Sequence, residues 1–383
     1  MHYFLIAGEA SGDLHGSHLI KALKHYDHEA VVTFLGGDLM SAAAGEQPII
    51  HYRDMAFMGF SEVLRNLGKV TGNLSKAKNA LEMAMPDALI LIDYPSFNLK
   101  VAAKAAKLGI PVYYYISPKI WAWKKWRVRD IRKLIRRVFC ILPFEPDFYK
   151  DNDYNRAVYV GNPSVAEIDT DLRNAPQRQD FLTRHKLRDR ALIALMPGSR
   201  RGEIRNNLPI MIAAADTFPQ YRGIIVGAPG IDDSLYAEFG AKNIPVVRED
   251  NASAILAHCR AALVTSGTAT LETALAGVPQ VVCYRANGSK ISYDLMKRIL
   301  DIDYVSLPNL IAGEMIVPEM LLHTCTPELV AEQLAPLLRL DSDARNAQIA
   351  GYQRIRHILG TTDAAATSAN AITKDLITAK KHR

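Results

Sequence analysis

Short apolar runs of about five residues recur along the chain, each ending in glycine, proline, aspartate or serine, with stretches of helical periodicity between several of them. Tyr3–Ala7 stops at Gly8, Val31–Leu35 at Gly36-Gly37-Asp38, and Ala88–Ile92 at Asp93-Tyr94-Pro95. Val112–Ile116 stops at Ser117-Pro118, Val138–Leu142 at Pro143-Phe144, and Ala157–Val160 at Gly161-Asn162-Pro163. Runs apolar at nearly every position, rather than at alternate ones, predict strands covered on both faces, and helices between them predict parallel pairing. Leu14–Leu23 is the first such helix. The opening is therefore that of a doubly wound α/β domain.

From Asp169 to Arg190 the sequence turns polar and charged, which predicts a linker or short helix and a domain boundary nearby. The strand pattern then restarts with Ala191–Met196, Gly223–Val226, Ile244–Val247, Ala261–Thr265 and Gln280–Tyr284. Helices fit Ile204–Asp216, Asn251–His258 and Thr268–Ala276, and the tail is helical over Pro327–Leu340 and Ala344–Ile377. The expected architecture is two Rossmann-like domains facing a central cleft, residues 1–170 and 185–345. Helices in 346–383 could pack back on the first.

Composition narrows this only a little. A chain of 383 residues with 49% hydrophobic and 22% charged residues suits two globular domains. The net charge of +6 favours an anionic partner without choosing among nucleotide, nucleic acid and lipid surface. The four cysteines, Cys140, Cys259, Cys283 and Cys325, are far apart, which predicts reduced thiols in the cytoplasm and no zinc site. His15 and His18 lack a completing Cys/His pair, so structural histidines and no metal are expected. No apolar run approaches the roughly 18–20 residues of a membrane span, and Tyr3–Ala7 is too short for a signal peptide.

Candidate chemistry gathers at strand ends. Pro197-Gly198-Ser199-Arg200 joins a strand to a helix, and backbone N–H groups at a helix start attract anions, phosphate above all. Arg200 and Arg201 add positive charge there. Thr265-Ser266-Gly267-Thr268 repeats the arrangement, with Glu272 in the first turns of the following helix, where it could bind ribose hydroxyls. Ser306-Leu307-Pro308-Asn309 reads as a polar loop able to touch phosphate or sugar. Asp93, directly after a parallel strand, could serve as a general base, or it could cap the next turn. Gly8, Glu9, Ser11, Gly12 and Asp13 form a small-residue loop that permits close backbone approach, but they match neither the dinucleotide fingerprint nor the P-loop.

Two further segments bear on partners. Lys124 to Arg137 holds eight basic residues, among them Lys124, Lys125, Arg127 and Arg129, against one acid, Asp130. Trp121, Trp123 and Trp126 lie beside or within it. This suits an anionic membrane surface or a nucleic-acid backbone, and a merely solvated face is the plainer alternative. Met58, Phe60, Val63, Leu64 and Leu67 belong to a helical apolar stripe that either packs in a core or offers a groove to acyl chains.

Read together, the motifs resemble the lipid-A-disaccharide synthase family, inverting glycosyltransferases of the GT-B fold. The resemblance rests on Ala7-Gly8-Glu9-Ala10-Ser11-Gly12-Asp13, Met58–Leu64, Ile92-Asp93-Tyr94-Pro95-Ser96-Phe97-Asn98, and Tyr115–Pro118 with Trp121–Trp123. It continues with Leu142–Glu145, Pro197–Arg200 with Glu203-Ile204, Ser266–Glu272 and Asp303–Leu310. These stretches run in order over residues 3–312. The resemblance implies transfer of the sugar of UDP-2,3-diacylglucosamine to the 6-hydroxyl of 2,3-diacylglucosamine 1-phosphate, giving a β-1,6 disaccharide 1-phosphate and UDP. It makes Asp93 the base, places Arg200 and Asn309 on the UDP phosphates and Glu272 on the ribose, and gives loop contacts to Ser199, Ser266, Gly267 and Thr268. The first half would take the acceptor and the second the nucleotide. No cofactor is implied, and the expected setting is the cytoplasmic face of the inner membrane, held peripherally, with a homodimer a further expectation. One departure is Asn162, where many relatives carry His.

Two rival readings define the contrast. Another UDP-sugar enzyme of the same fold, such as a UDP-N-acetylglucosamine 2-epimerase, would share the second half but not Met58–Leu64 or Trp121–Trp126. A nucleic-acid-binding protein would use the Lys124–Arg137 segment and leave both glycine turns without a role.

Overall fold

The computed structural model describes residues 1–55, 67–121, 125–241, 243–249, 251–285 and 303–381. The chain divides into two compact units, residues 1–163 with 361–383, and residues 164–360. Each is built on a parallel six-stranded sheet.

In the first unit the strands are β1 (His2–Ala7), β2 (Val31–Leu35), β3 (Ala88–Ile92), β4 (Val112–Tyr115), β5 (Arg137–Cys140) and β6 (Ala157–Tyr159). Their order is β2-β1-β3-β4-β5-β6, all parallel. Strand direction of growth reverses between β1 and β3, the switch point where open α/β sheets present a crevice at the carboxyl ends of their strands. Alternate residues feed opposite faces: Phe4, Ile6, Leu89 and Leu91 enter one core, and Tyr3, Leu5, Ala88 and Ile90 the other. Both faces of β1 and β3 are dry, which is why every position of Tyr3–Ala7 and Ala88–Ile92 is apolar.

The second unit carries β7 (Leu192–Met196), β8 (Arg222–Val226), β9 (Val246–Val247), β10 (Cys259–Thr265), β11 (Gln280–Tyr284) and β12 (Glu319–Leu321). The order is β12-β11-β10-β7-β8-β9, with the switch point between β7 and β10. The charged run, expected as a linker or short helix, is ordered, and helices Pro163–Arg173 and Arg178–Arg184 cover much of it. Its charges are matched by groups far along the chain, Asp169 by Arg356 at 2.8 Å, Asp171 by Asn251 at 2.7 Å, and Arg184 by Glu249 at 2.7 Å. Such partners are invisible to local composition.

The tail breaks at Gly360, whose φ of +66° suits glycine, into helices Asp343–Leu359 and Ala364–Lys381. The earlier one stays with the second unit, where Gln348 exchanges hydrogen bonds with the Gln280 backbone. The later one packs Ala364, Ala369, Ile372 and Leu376 into the first unit's core. Its Asp375 accepts from Tyr113 at 2.6 Å and from Arg136 Nε and Nη2 at 2.6 and 2.8 Å. Burial pushes that carboxyl upward, but these donors hold it below its ordinary pKa. Asn162 is buried and donates to the Ile141 carbonyl, a structural bond in the turn after β6.

Candidate functional site

At the first switch point, parallel pairing sets Ala7 beside Ile92, so Gly8-Glu9 and Asp93 leave neighbouring strand ends. Asp93 and Tyr94 both have left-handed backbones, φ +41° and +48°, and Ile116 at the end of β4 has φ +63°. For residues with a Cβ this is strained, most of all for the β-branched Ile116. Tyr94 lays its ring over Gly8, where any Cβ would fall inside the ring, and donates its hydroxyl to the Met55 carbonyl at 2.9 Å. That close approach is the reason for glycine at position 8.

Asp93 is partly buried at this corner. Burial, then the neighbouring Glu9 charge, pushes its carboxyl up to about 6, against the opposing pull of Lys119, the Tyr94 N–H and His15. A carboxylate with a pKa near 6 is ionised at neutral pH yet a stronger base than an ordinary aspartate. Lys119 was not expected here, and His15 was expected only as a structural histidine; what pointed to Lys119 was only its place just past a strand end.

Not every residue expected here faces a ligand. The helix following β1 starts at Ala10, so Ser11, Gly12 and Asp13 are its first turn rather than an open loop. Asp13 is buried and accepts from the backbone N–H groups of Gly37, Leu39 and Met40 at 2.7–3.1 Å. It caps the helix Asp38–Ala44 and is no ligand group. Ser11 bonds Glu9 at 3.3 Å. Trp121, expected on a membrane or acyl surface, is buried and donates to Glu145 at 3.1 Å. Glu145 is fully buried, accepts also from the Leu142 N–H at 3.1 Å, and is pushed up to about 7 by burial. Trp126, by contrast, is 62% exposed with the Arg127 guanidinium 5.5 Å from its ring centre, and Arg129 is exposed. Met58, Phe60, Val63, Leu64, Trp123 and Lys124 lie outside the described residues; Leu67 opens the helix Leu67–Ala84 and Lys125 a short 3₁₀ turn.

At the second switch point, Met196 of β7 pairs with Val264 of β10, which brings Gly198-Ser199-Arg200 and Ser266-Gly267-Thr268 to adjacent strand ends. Helices Arg201–Asp216 and Thr268–Leu275 both start here without a side-chain cap. Gly198 has φ +104°, and a Cβ on it would run into Glu203. Glu203, not assigned from sequence although it belongs to the motif, accepts from the Ser199 N–H at 3.1 Å and from Arg200 at 2.8 Å. An acid one turn into a helix is favoured by the dipole, and that spacing was the available signal. Arg200 remains 65% exposed. Arg201 turns away to Glu238, at 2.6 and 2.8 Å. Glu272 is half-buried in the second turn of its helix, and Gly267 and Thr268 are exposed. Ser266 donates to the Val305 carbonyl at 2.8 Å.

Asn309 is corrected. Ser306–Asn309 is no loop, because Ser306 precedes a helix, Leu307–Ala312, and Asn309 is fully buried within it. Its Nδ2 donates to the Val317 carbonyl and to Glu319, both at 2.9 Å, and its Oδ1 accepts from the Ile316 and Val317 N–H groups at 2.7 and 2.9 Å. With both donors and both lone pairs engaged, the amide has nothing left for a phosphate.

Among the described residues no cluster of three His, Cys, Asp or Glu side chains could hold a metal, and no helix is long and apolar enough to cross a membrane.

Residues 3–372 match the family model for lipid-A-disaccharide synthetase. The lipid-A-disaccharide synthase of Myxococcus xanthus is 38% identical over 376 residues, 96% of each chain. That of Nitrosococcus oceani is 34% identical over 93% of this chain and 92% of its own. Among solved structures, the UDP-GlcNAc 2-epimerase of Neisseria meningitidis superposes with a TM-score of 0.65 at 12% identity, covering 99% of this chain and 100% of that one. The glycosyltransferase of kitacinnamycin gives 0.61 at 15%, covering 97% and 98%. The structural likeness concerns the fold, which is GT-B.

Proposed function

This chain belongs to the lipid-A-disaccharide synthetase family, a glycosyltransferase of lipid A biosynthesis, and from that premise we propose the reaction that its two switch points serve. The donor is a UDP-sugar, UDP-2,3-diacylglucosamine, and the acceptor is 2,3-diacylglucosamine 1-phosphate. The acceptor 6-hydroxyl oxygen attacks the donor's anomeric carbon. The bond from that carbon to the diphosphate breaks, the hydroxyl proton passes to the Asp93 carboxylate, and UDP departs. One displacement inverts the anomeric centre and yields the β-1,6 disaccharide 1-phosphate.

The observation that carries this reading is the division of chemistry between the two corners. The first unit's corner holds a carboxylate with a pKa of about 6, the property a base needs. The second holds two uncapped helix starts and the exposed Arg200, the property a departing diphosphate needs. Accordingly the first unit binds acceptor and the second binds donor, with Ser199, Arg200, Ser266, Gly267 and Thr268 around the diphosphate and Glu272 on the ribose. The solved neighbour with UDP-GlcNAc bound supports a nucleotide-sugar donor for this fold. The exposed Trp126 with Arg127 and Arg129 supports peripheral contact with an anionic inner-membrane surface on its cytoplasmic face.

The test supplies both lipid substrates to purified protein in detergent. UDP and disaccharide should appear together in equal amounts. Release of neither refutes the assignment, and UDP release without the acceptor would point to donor hydrolysis instead.

A further inference from the structure

Asp93 ends β3 with its backbone in the left-handed region, and Tyr94 continues there before the helix Pro95–Lys107 begins. Two successive residues of this kind turn the Asp93 carbonyl out of the sheet ladder, whose last pairing on this side is Ile92 with Tyr115. A carbonyl so displaced inside a protein needs other donors. It has two. Tyr114 donates its hydroxyl at 2.5 Å, and Asn98 donates Nδ2 at 2.7 Å. Both side chains are fully buried. Asn98 donates also to the Ile92 carbonyl at 3.2 Å, so one amide grips two consecutive carbonyls at the corner.

The chain builds this grip from two elements. Tyr114 stands opposite Leu91 on the neighbouring strand, and Asn98 lies in the first turn of the helix that follows the corner. The peptide linking Asp93 to Tyr94 is thereby held from both sides, and the direction of the Asp93 side chain follows from the orientation of that peptide. Strain of this kind persists only where surrounding groups over-determine the conformation. We propose that Tyr114 and Asn98 are positioning residues, which hold the strained Asp93 corner so that its carboxylate is presented to the acceptor hydroxyl. This rests on the reading of Asp93 as the base.

The experiment compares Tyr114→Phe, Asn98→Ser and Asp93→Asn in the full chain. It measures kcat, KM for the acceptor, UDP affinity, the pH profile and the thermal midpoint. A misdirected base should cost about tenfold to a hundredfold in kcat, with acceptor KM and UDP affinity within about twofold of the parent. A loosened corner also admits water to Asp93. The acid limb of kcat should then move down from about pH 6 toward the ordinary carboxylate range. Glu9, Lys119 and His15 also act on Asp93 and are unchanged in these variants. The Tyr114 phenol, which interacts with the Asp93 charge, is lost only in Tyr114→Phe, so Asn98→Ser reads the acid limb with every charged or titratable neighbour kept.

Normal kcat and an unmoved acid limb in both folded variants, beside an inactive Asp93→Asn, would overturn the positioning role and leave the base assignment standing. Parallel loss of kcat, UDP affinity and thermal midpoint would reduce the pair to a structural role and also overturn it. Full activity of Asp93→Asn would instead remove the base assignment, and the positioning role with it. Should Tyr114→Phe fail to fold, Asn98→Ser decides by the same readouts.

Discussion

The corners after β3 and after β7 occupy equivalent places, each at the switch point of a parallel sheet, and they are built in opposite ways. The first bends through two non-glycine residues in strained conformations, tied down by Tyr114 and Asn98, and displays a carboxylate whose pKa is raised by burial. The second bends through Gly198 without that cost and leaves a helix start and an exposed arginine. Strain and burial suit a group that must take a proton. Helix-start N–H groups and solvent-accessible charge suit a site that must bind and release a polyanion. Glu203 sharpens the contrast, because its carboxylate accepts from Ser199 and Arg200, the two donors proposed for the diphosphate.

The largest expected effect comes from the first corner. Asp93→Asn should lower turnover by about two to four orders of magnitude while calorimetry finds UDP binding nearly intact. Lost UDP affinity would place the acid in donor binding and dissolve the contrast. Arg200→Ala should weaken UDP binding by about tenfold to a hundredfold, the range for a charge-assisted hydrogen bond, and an unchanged dissociation constant would remove the arginine from the donor site.

The pH profile comes next. Because the folded-state pKa of Asp93 is raised to about 6, the base is lost to protonation as pH falls through that value. The rate should therefore drop about tenfold for each unit below it. A profile flat down to pH 5 would contradict an Asp93 base with this pKa. The smallest functional effect belongs to Asn309. Asn309→Ala takes the partner from the Ile316 and Val317 N–H groups and a donor from the Val317 carbonyl, so thermal or denaturant unfolding should show a loss of about 1–3 kcal/mol. UDP affinity of the folded variant should not change; a selective loss of UDP binding would return Asn309 to the donor site.

Legibility in the sequence followed the range of the interactions involved. The apolar runs marked most of the strands, since burial on both faces leaves few polar positions in them; the edge strand β12, Glu319–Leu321, opens on a charged residue and is only half-buried, so no apolar run announced it. The glycine and aspartate turns marked the corners, and the ordered motifs identified the family. Asp13, Trp121 and Asn309 went astray for one shared reason: each is saturated by groups distant in sequence or in a turn not yet visible, respectively the Gly37–Met40 backbone, Glu145, and the Val317 and Glu319 groups. A polar side chain in a functional motif looks the same on paper whether its hydrogen bonds go to a ligand or to the protein.

What the sequence determined alone was therefore periodic or local: two parallel α/β sheets, the turns at their carboxyl ends, and the residue types available there. Only the tertiary structure decided strand order, and with it the pairings of Ala7 with Ile92 and Met196 with Val264 that gather the corners at the switch points. It also decided the grip of Tyr114 and Asn98 on Asp93, the division of the tail between the units, and which polar groups were already spent. Strand order, burial and hydrogen-bond saturation depend on contacts between residues far apart in the chain, and no local pattern encodes them.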